Sequence, residues 1–223
     1  MECAPGASVG SGKRGTAMLT LYDNMDSGNG YKARLLLHKL GVAYTRVELD
    51  IDRSETRTAN FLVKNPNGRI PTLELDDGTY LAESNAIIHY LAEDSPYLPA
   101  DRLKHAQVLQ WMFFEQYSHE PYVATPRYIV RHLGRDHARM NELPDRHQQG
   151  HAALAVMDQH LAKRRFFVDE RLTIADIALY AYTHVAYEGD LDIGRYGNVR
   201  TWLDQVAAEP RHIPITQEPI TPG

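Results

Sequence analysis

The hydrophobic period changes several times along the chain, and each change marks an expected element. Residues 1–17 are small and polar with no apolar period, so they read as a flexible leader, with Met18 a sensible alternative start. Met18 to Asp23 (MLTLYD) is a short apolar run that predicts a buried strand. The turn Asp26-Ser27-Gly28-Asn29-Gly30 follows, rich in residues that cap helices. Leu35, Leu36 and Leu40 stand near helical spacing and predict a helix over Tyr31 to Leu40, closed by Gly41. Val42 to Leu49 is a second strand, which makes the first segment a right-handed parallel crossover. Arg53 to Lys64 suits a short helix, and Asn65-Pro66-Asn67-Gly68 is a turn. Thr72 to Leu75 and Thr79 to Leu81 flank Asp76-Asp77-Gly78 as a tight hairpin, and Glu83 to Ala92 is again helical.

After the proline-containing stretch Asp94 to Asp101 (DSPYLPAD) the pattern is helical throughout. Helices are expected over Arg102 to His119, interrupted at Pro121 and Pro126 and resuming to Leu133, then over Asp145 to Lys163, Thr173 to Tyr187 and Tyr196 to Glu209. Thr173 to Tyr187 is mostly apolar, as a helix buried on nearly all sides would be. The expected organisation is α/β followed by all-α: a βαβαββα domain at residues 18–94, a linker at 95–101, an all-helical domain at 102–210 and an extended tail at 211–223.

Composition narrows the function. The 223 residues carry a formal net charge of -5, which disfavours binding nucleic acid through phosphates. The single cysteine, Cys3, excludes an internal disulfide and a cysteine-based zinc site and suits a reducing cytoplasm. Apolar runs such as Ile174 to Tyr182 are far short of a membrane span, and no secretory signal is expected. His147 and His151 can share one helix face, but no third ligand is in view, so no metal is expected.

Four short motifs occur in order: Ser27-Gly28-Asn29-Gly30-Tyr31-Lys32 after the first strand, Asn65-Pro66-Asn67-Gly68-Arg69-Ile70-Pro71 before the third, Glu83-Ser84 opening a helix, and Thr173-Ile174-Ala175-Asp176 in the helical half. Together, over residues 18 to 210, they make the chain resemble the cytosolic glutathione transferase superfamily, with theta-, nu- and beta-like features. The resemblance implies a thioredoxin-like N-terminal domain, a homodimer, and glutathione as co-substrate without a metal. It also implies a cis bond at Ile70-Pro71 that turns the Ile70 backbone toward an extended tripeptide, much as an added strand would be paired.

The resemblance assigns roles residue by residue. The helix start at Ser84 would hold the γ-glutamyl carboxylate, and Glu83 its ammonium. Ser27 and Asn29 would donate hydrogen bonds to the sulfur and favour the thiolate, although either can instead be a plain helix cap. Tyr22, in the strand, reads as a packed aromatic. Nu-like members carry a histidine before an arginine in the second helix. Here that pair is Thr56-Arg57, so the histidine contact is missing, and Arg57, Arg69 or Lys64 would meet the rest of the tripeptide. His119, eight residues after Trp111, is a further candidate contact, or a satisfied interfacial histidine. Phe114, Tyr117, Tyr122 and Tyr128 would wall an apolar second-substrate pocket, or belong to the core. Thr173 and Asp176 form a capping box, with Leu172 as its staple. The expected activity is conjugation of reduced glutathione to small apolar electrophiles, a detoxification chemistry. The alternatives are glutathione-dependent disulfide or peroxide reduction, and a glutathione- or partner-binding module without turnover.

Overall fold

The computed structural model describes residues 19–218. The expected leader, Cys3, Met18 and the last five residues lie outside this range. Four strands, β1 (Leu19–Asp23), β2 (Tyr44–Glu48), β3 (Thr72–Glu74) and β4 (Tyr80–Ala82), form one sheet in the order β2-β1-β3-β4. β1 and β2 run parallel, and β3 is antiparallel to both β1 and β4. Helices α1 (Gly28–Leu40), α2 (Ala59–Leu62) and α3 (Ser84–Ala92) complete the expected thioredoxin-like layer. The helical layer holds α4 (Arg102–Phe114), α5 (Glu120–Tyr128), α6 (Leu143–Leu161), α7 (Ile174–Thr183) and α8 (Gly197–Ala208).

β1 buries Leu19, Leu21 and Asp23 and leaves Tyr22 partly open, the alternation of a strand with one covered face. α1 begins at Gly28, three residues before the expected Tyr31, because the Ser27 hydroxyl accepts the Gly30 N–H and caps the helix there. It ends where Gly41 takes φ 68°, a left-handed conformation that suits glycine. α1 is covered on both sides. Ala33 and Leu37 join Leu21, Leu73 and Ile87 against the sheet. Tyr31, Leu35 and Leu36 join the larger core around α7, all ten residues of which are buried.

The expected interruption at Pro121 and Pro126 does not occur. Pro121 sits in the first turn of α5, where its missing N–H is harmless, and Pro126 is carried inside the helix. What breaks the regular α geometry instead is a wide π-type turn at Glu115–His119, and a second at Ile129–Leu133. The capping box at Thr173 is present. The Asp176 carboxylate accepts from the Thr173 N–H and hydroxyl, the Phe167 N–H and the Trp202 indole, at 2.9–3.0 Å.

The described part of the tail is docked against the first layer. The Tyr31 hydroxyl donates to the Ile213 carbonyl at 2.5 Å, Arg34 donates to the Ile215 carbonyl at 2.6 Å, and Arg46 of β2 pairs with Glu218 at 2.9 Å. His184 and His212 sit at this joint around Tyr180. The His184 ring stacks on it and its Nδ1 donates to the Tyr180 carbonyl at 2.8 Å.

Burial pushes His184 and His212 each down to about 4, so the fold holds both neutral. Their folded-state values lie below the unfolded value, so their contribution to stability is full above about pH 6.5 and is lost as pH falls toward 4. On their own these two residues make unfolding take up as many as about two extra protons near pH 5, a slope in the urea midpoint opposite in sign to that from Asp23 and Asp176, whose carboxyls burial raises to about 6. Replacing both histidines by glutamine should remove their part of the slope, and an unchanged slope would refute the assignment.

Candidate functional site

The sheet register gathers three of the four motifs at one end of the molecule. Tyr22 of β1 pairs with Thr72 of β3, and Thr72 pairs with Ala82 of β4. The exit of β1 toward Ser27, the entry of β3 after Ile70-Pro71, and the exit of β4 into Glu83 therefore lie side by side.

The loop before α1 is pinned from the helical layer. Arg127 donates to the Asp26 carbonyl and carboxylate at 2.7 and 2.8 Å, and Arg131 adds a contact at 2.6 Å. Gly28 is required by close approach, since a Cβ there would lie 2.5 Å from the Tyr182 ring. Ser27 uses its oxygen as the cap acceptor, which leaves its hydroxyl proton free to donate. Asn29 Nδ2 donates to Glu120 at 2.8 Å, and Oδ1 accepts from the Ser84 hydroxyl at 3.0 Å. One of the two Nδ2 protons is thereby left without a partner among the described residues.

The Ile70-Pro71 bond is cis. The preceding turn is fixed by Asn65, which donates to the Arg69 carbonyl at 2.8 Å and to Thr72 at 3.2 Å. Arg57 donates to the Asn67 carbonyl at 2.9 Å and so braces this turn. Ile70 itself bonds neither its N–H nor its C=O among the described residues, which leaves one peptide edge free. Arg69 is exposed and makes no ion pair within the described residues.

Glu83 adopts φ 67°, a conformation that costs a non-glycine residue free energy and is kept where the surroundings impose it. Its exposed carboxylate has no partner among the described residues. The first N–H groups of α3 have no acceptor within the helix. The Ser84 side chain is buried, and its one proton goes to Asn29, so the start of α3 offers backbone N–H groups more readily than this hydroxyl.

Behind these groups lies a polar network that sequence reasoning did not assign. Lys32 is fully buried and pairs with the equally buried Glu115 at 2.9 Å. It also reaches Ser84 at 3.3 Å, Asn85 at 3.4 Å and Glu120 at 3.7 Å. Lys32 belongs to the first motif, but its partners stand 52 or more positions away, beyond the reach of spacing rules.

Other expected site residues fall elsewhere. His119 is fully buried, bonded to Thr183 at 2.9 Å and pushed down to about 3 by burial, with Lys32 adding to the shift. It is enclosed, so a direct contact with a docked tripeptide is corrected to an interior position. The expected aromatic pocket does not assemble. Phe114 packs on Trp111, Tyr117 is 85% exposed, and Tyr128 stacks on His132. Tyr122 lines a polar cleft of about 490 Å³ with Glu142, Asp145, Arg146, Gln148 and Gln149. Each of these rings meets a different neighbour or stays in solvent, so they do not share one wall.

Lys64 donates to Tyr80 at 2.7 Å and lies over the Tyr22 ring, while Tyr22 donates to Glu74 at 2.6 Å. Both are committed to the sheet surface. His147 and His151 bond to the Gly189 carbonyl and to Tyr196. Among the described residues no three metal-ligating side chains cluster, and no helix is long and apolar enough to cross a membrane.

Comparisons with known proteins agree with this fold. A family model described as the N-terminal domain of glutathione S-transferase matches residues 17–93, and one for the C-terminal domain matches residues 108–210. A crystal structure of a glutathione S-transferase from Pseudomonas fluorescens Pf-5 is 48% identical with a TM-score of 0.88, covering 90% of this chain and 100% of that one. A glutathione transferase from Pseudomonas putida, solved with one glutathione disulfide bound per subunit, is 25% identical with a TM-score of 0.78, covering 87% and 88%. Elongation factor 1-gamma-B of Xenopus laevis is 30% identical over 204 residues, which is 86% of this chain and 45% of the relative. The chain thus spans less than half the length of that relative. With both domain models matched over most of its length, the chain belongs to the glutathione S-transferase family.

Proposed function

We propose that the protein binds reduced glutathione and conjugates it to small apolar electrophiles by thiolate attack. The observation that carries this reading is the convergence of three groups at one sheet end: the unpaired Ile70 peptide edge, the start of α3 beside Glu83, and the start of α1 at Ser27 and Asn29. Each fits one part of the tripeptide. Ile70 pairs the cysteinyl backbone. The N–H groups of Ser84 and Asn85 take the γ-glutamyl carboxylate, and Glu83 takes its ammonium. The free Ser27 hydroxyl proton and the second Asn29 Nδ2 proton face the sulfur and favour its ionised form. Arg69, which makes no ion pair among the described residues, takes the remaining carboxylate, Arg57 being committed to its turn. The same proposal places the protein in the cytoplasm, in detoxification, and in a homodimer. The apolar side chains of Leu103 and Phe113, exposed on α4, suit a subunit contact.

A second reading is disulfide reduction on the same scaffold, and two observations favour it. The named aromatics do not enclose an apolar pocket, and the Pseudomonas putida relative holds glutathione disulfide. A third reading, binding without turnover, draws on the relatedness to elongation factor 1-gamma.

Calorimetry with reduced glutathione should give a binding heat at millimolar concentrations, and silence there would sink all three readings in their glutathione form. Assaying chlorodinitrobenzene against 2-hydroxyethyl disulfide separates the first two, and turnover of neither leaves the third. For the first, Ser27→Ala with Asn29→Ala should lower kcat/KM for chlorodinitrobenzene by about 10- to 100-fold, the worth of one or two charge-assisted hydrogen bonds. Unaltered turnover would remove both side chains from the chemistry. Glu83→Gln should weaken glutathione binding by roughly tenfold and leave kcat nearly unchanged, since it holds the end of the tripeptide remote from sulfur.

A further inference from the structure

The Lys32 network makes no contact with bulk solvent at its centre, yet it touches two of the groups assigned to glutathione. Burying an ammonium and a carboxylate costs several kcal/mol per ion, and a well-packed apolar pair is often as stable or more so. Stability alone is therefore a weak reason for Lys32 and Glu115 to be there. Their geometry supplies a better one.

Lys32 Nζ carries only donors, and at 3.3 Å it occupies a lone pair of Ser84 Oγ. The single Ser84 proton is thereby directed at Asn29 Oδ1, 3.0 Å away. With Oδ1 held on that side, the Asn29 amide can face only one way, and its Nδ2 edge lies toward Glu120. Glu120 in turn is 3.7 Å from the same ammonium, which closes the ring Lys32, Ser84, Asn29, Glu120. The Glu115 carboxylate fixes the ammonium from the other side, and its second oxygen accepts from Asn85 and Gln116, both at 3.0 Å. Buried His119 lies near Lys32 and is held neutral.

The wide turn at Glu115–His119 is part of the same device. On a regular α-helix, residues five apart point about 140° away from each other, so Glu115 and Glu120 would face different neighbours. An i→i+5 turn brings them onto one face, where both reach Lys32.

We infer that Lys32 is a positioning residue for thiol activation: through Ser84 it fixes the Asn29 amide so that an N–H, and not the carbonyl, is presented to the glutathione sulfur. This rests on the glutathione reading above. No bond is made or broken at Lys32, and its effect on the thiol passes through Asn29.

The test titrates the thiol in the protein–glutathione complex by thiolate absorbance. Beside it, the affinity for S-methylglutathione, which has no thiol proton, is measured. Lys32→Met should raise the bound thiol pKa by about one unit, the worth of one hydrogen bond to a charged acceptor, and shift the acid limb of the kcat/KM profile equally. Affinity for S-methylglutathione should change by less than about threefold, because its backbone contacts stay in place.

Lys32→Met leaves Glu115 buried without its partner and can fail to fold. Lys32→Met with Glu115→Gln removes both charges, and Ser84→Ala cuts the relay at its middle without touching either. Both should move the thiol pKa in the same direction. A bound thiol pKa equal to wild type in these two folded variants would overturn the inference. So would a loss of S-methylglutathione affinity with no movement of the thiol, which is the mark of general structural support. If the wild-type protein binds neither peptide, the glutathione reading itself falls and this inference with it.

Discussion

Helix α1 has no free face, and most of the molecule follows from that constraint. The sheet covers one side through Ala33 and Leu37, and the helical layer covers the other through Tyr31, Leu35 and Leu36. Any charged residue on α1 is then forced inside and must find a partner from another element. Lys32 finds Glu115 from the helical layer, and Arg34 finds Asp23 from β1 at 2.7 Å. Burial still pushes Asp23 up to about 6 against the pull of Arg34, so this pair is held by its surroundings as much as by attraction. The remaining donors of Arg34 go to the Met25 and Ile215 carbonyls. One helix thereby ties together the first strand, the loop of the site, the helical layer and the tail.

The two buried lysine and arginine contacts also divide the labour along α1. Arg34 and Tyr31 bind the tail, and with Arg127 and Asp26 they fix where the loop before Ser27 can lie. Lys32 points at the start of α3 and joins that helix to the start of α1. The candidate site therefore sits at the meeting of two helix N-termini with their positive dipole ends. α3 offers unpaired N–H groups, whereas at α1 the Asn29 and Gly30 N–H groups go to Tyr182 and Ser27 and the side chains are left to donate. A peptide that carries a carboxylate at one end and an ionisable thiol in the middle suits both.

Much of this architecture was legible in the chain because its signals are local. The alternation in Leu19 to Asp23, the glycine at 41 and the Asn-Pro-Asn-Gly turn each act within a few residues, and each appears where expected. The capping box at Thr173 is of the same kind. What the sequence did not reveal depends on register or on distant pairing. His119 and Tyr117 are two residues apart, yet one is fully buried and the other exposed. Residues two apart on a helix face nearly opposite ways, and which face is covered depends on α7, whose Thr183 meets His119. Lys32 looks like one more polar position on an amphipathic helix until the second layer is placed over it. Ser84 is a case of the same kind: the acceptor of its hydroxyl proton, Asn29, comes from another helix.

Under the proposed chemistry, a count of donors makes capping and donation compatible at Ser27 and Asn29. A hydroxyl that caps a helix is used as an acceptor, and capping leaves its proton available. Ser27 can therefore anchor α1 and still donate to a sulfur at its N-terminus. An amide has two protons on one nitrogen, so Asn29 can hold Glu120 with one and keep the other. Neither residue has to choose. The constraint falls instead on orientation. A serine hydroxyl rotates freely to suit its acceptor, whereas an amide placed the wrong way round presents an oxygen that would repel a thiolate. Of the two, Asn29 is the one that needs a network behind it, and it is the one whose oxygen is tied, through Ser84, to a buried ammonium.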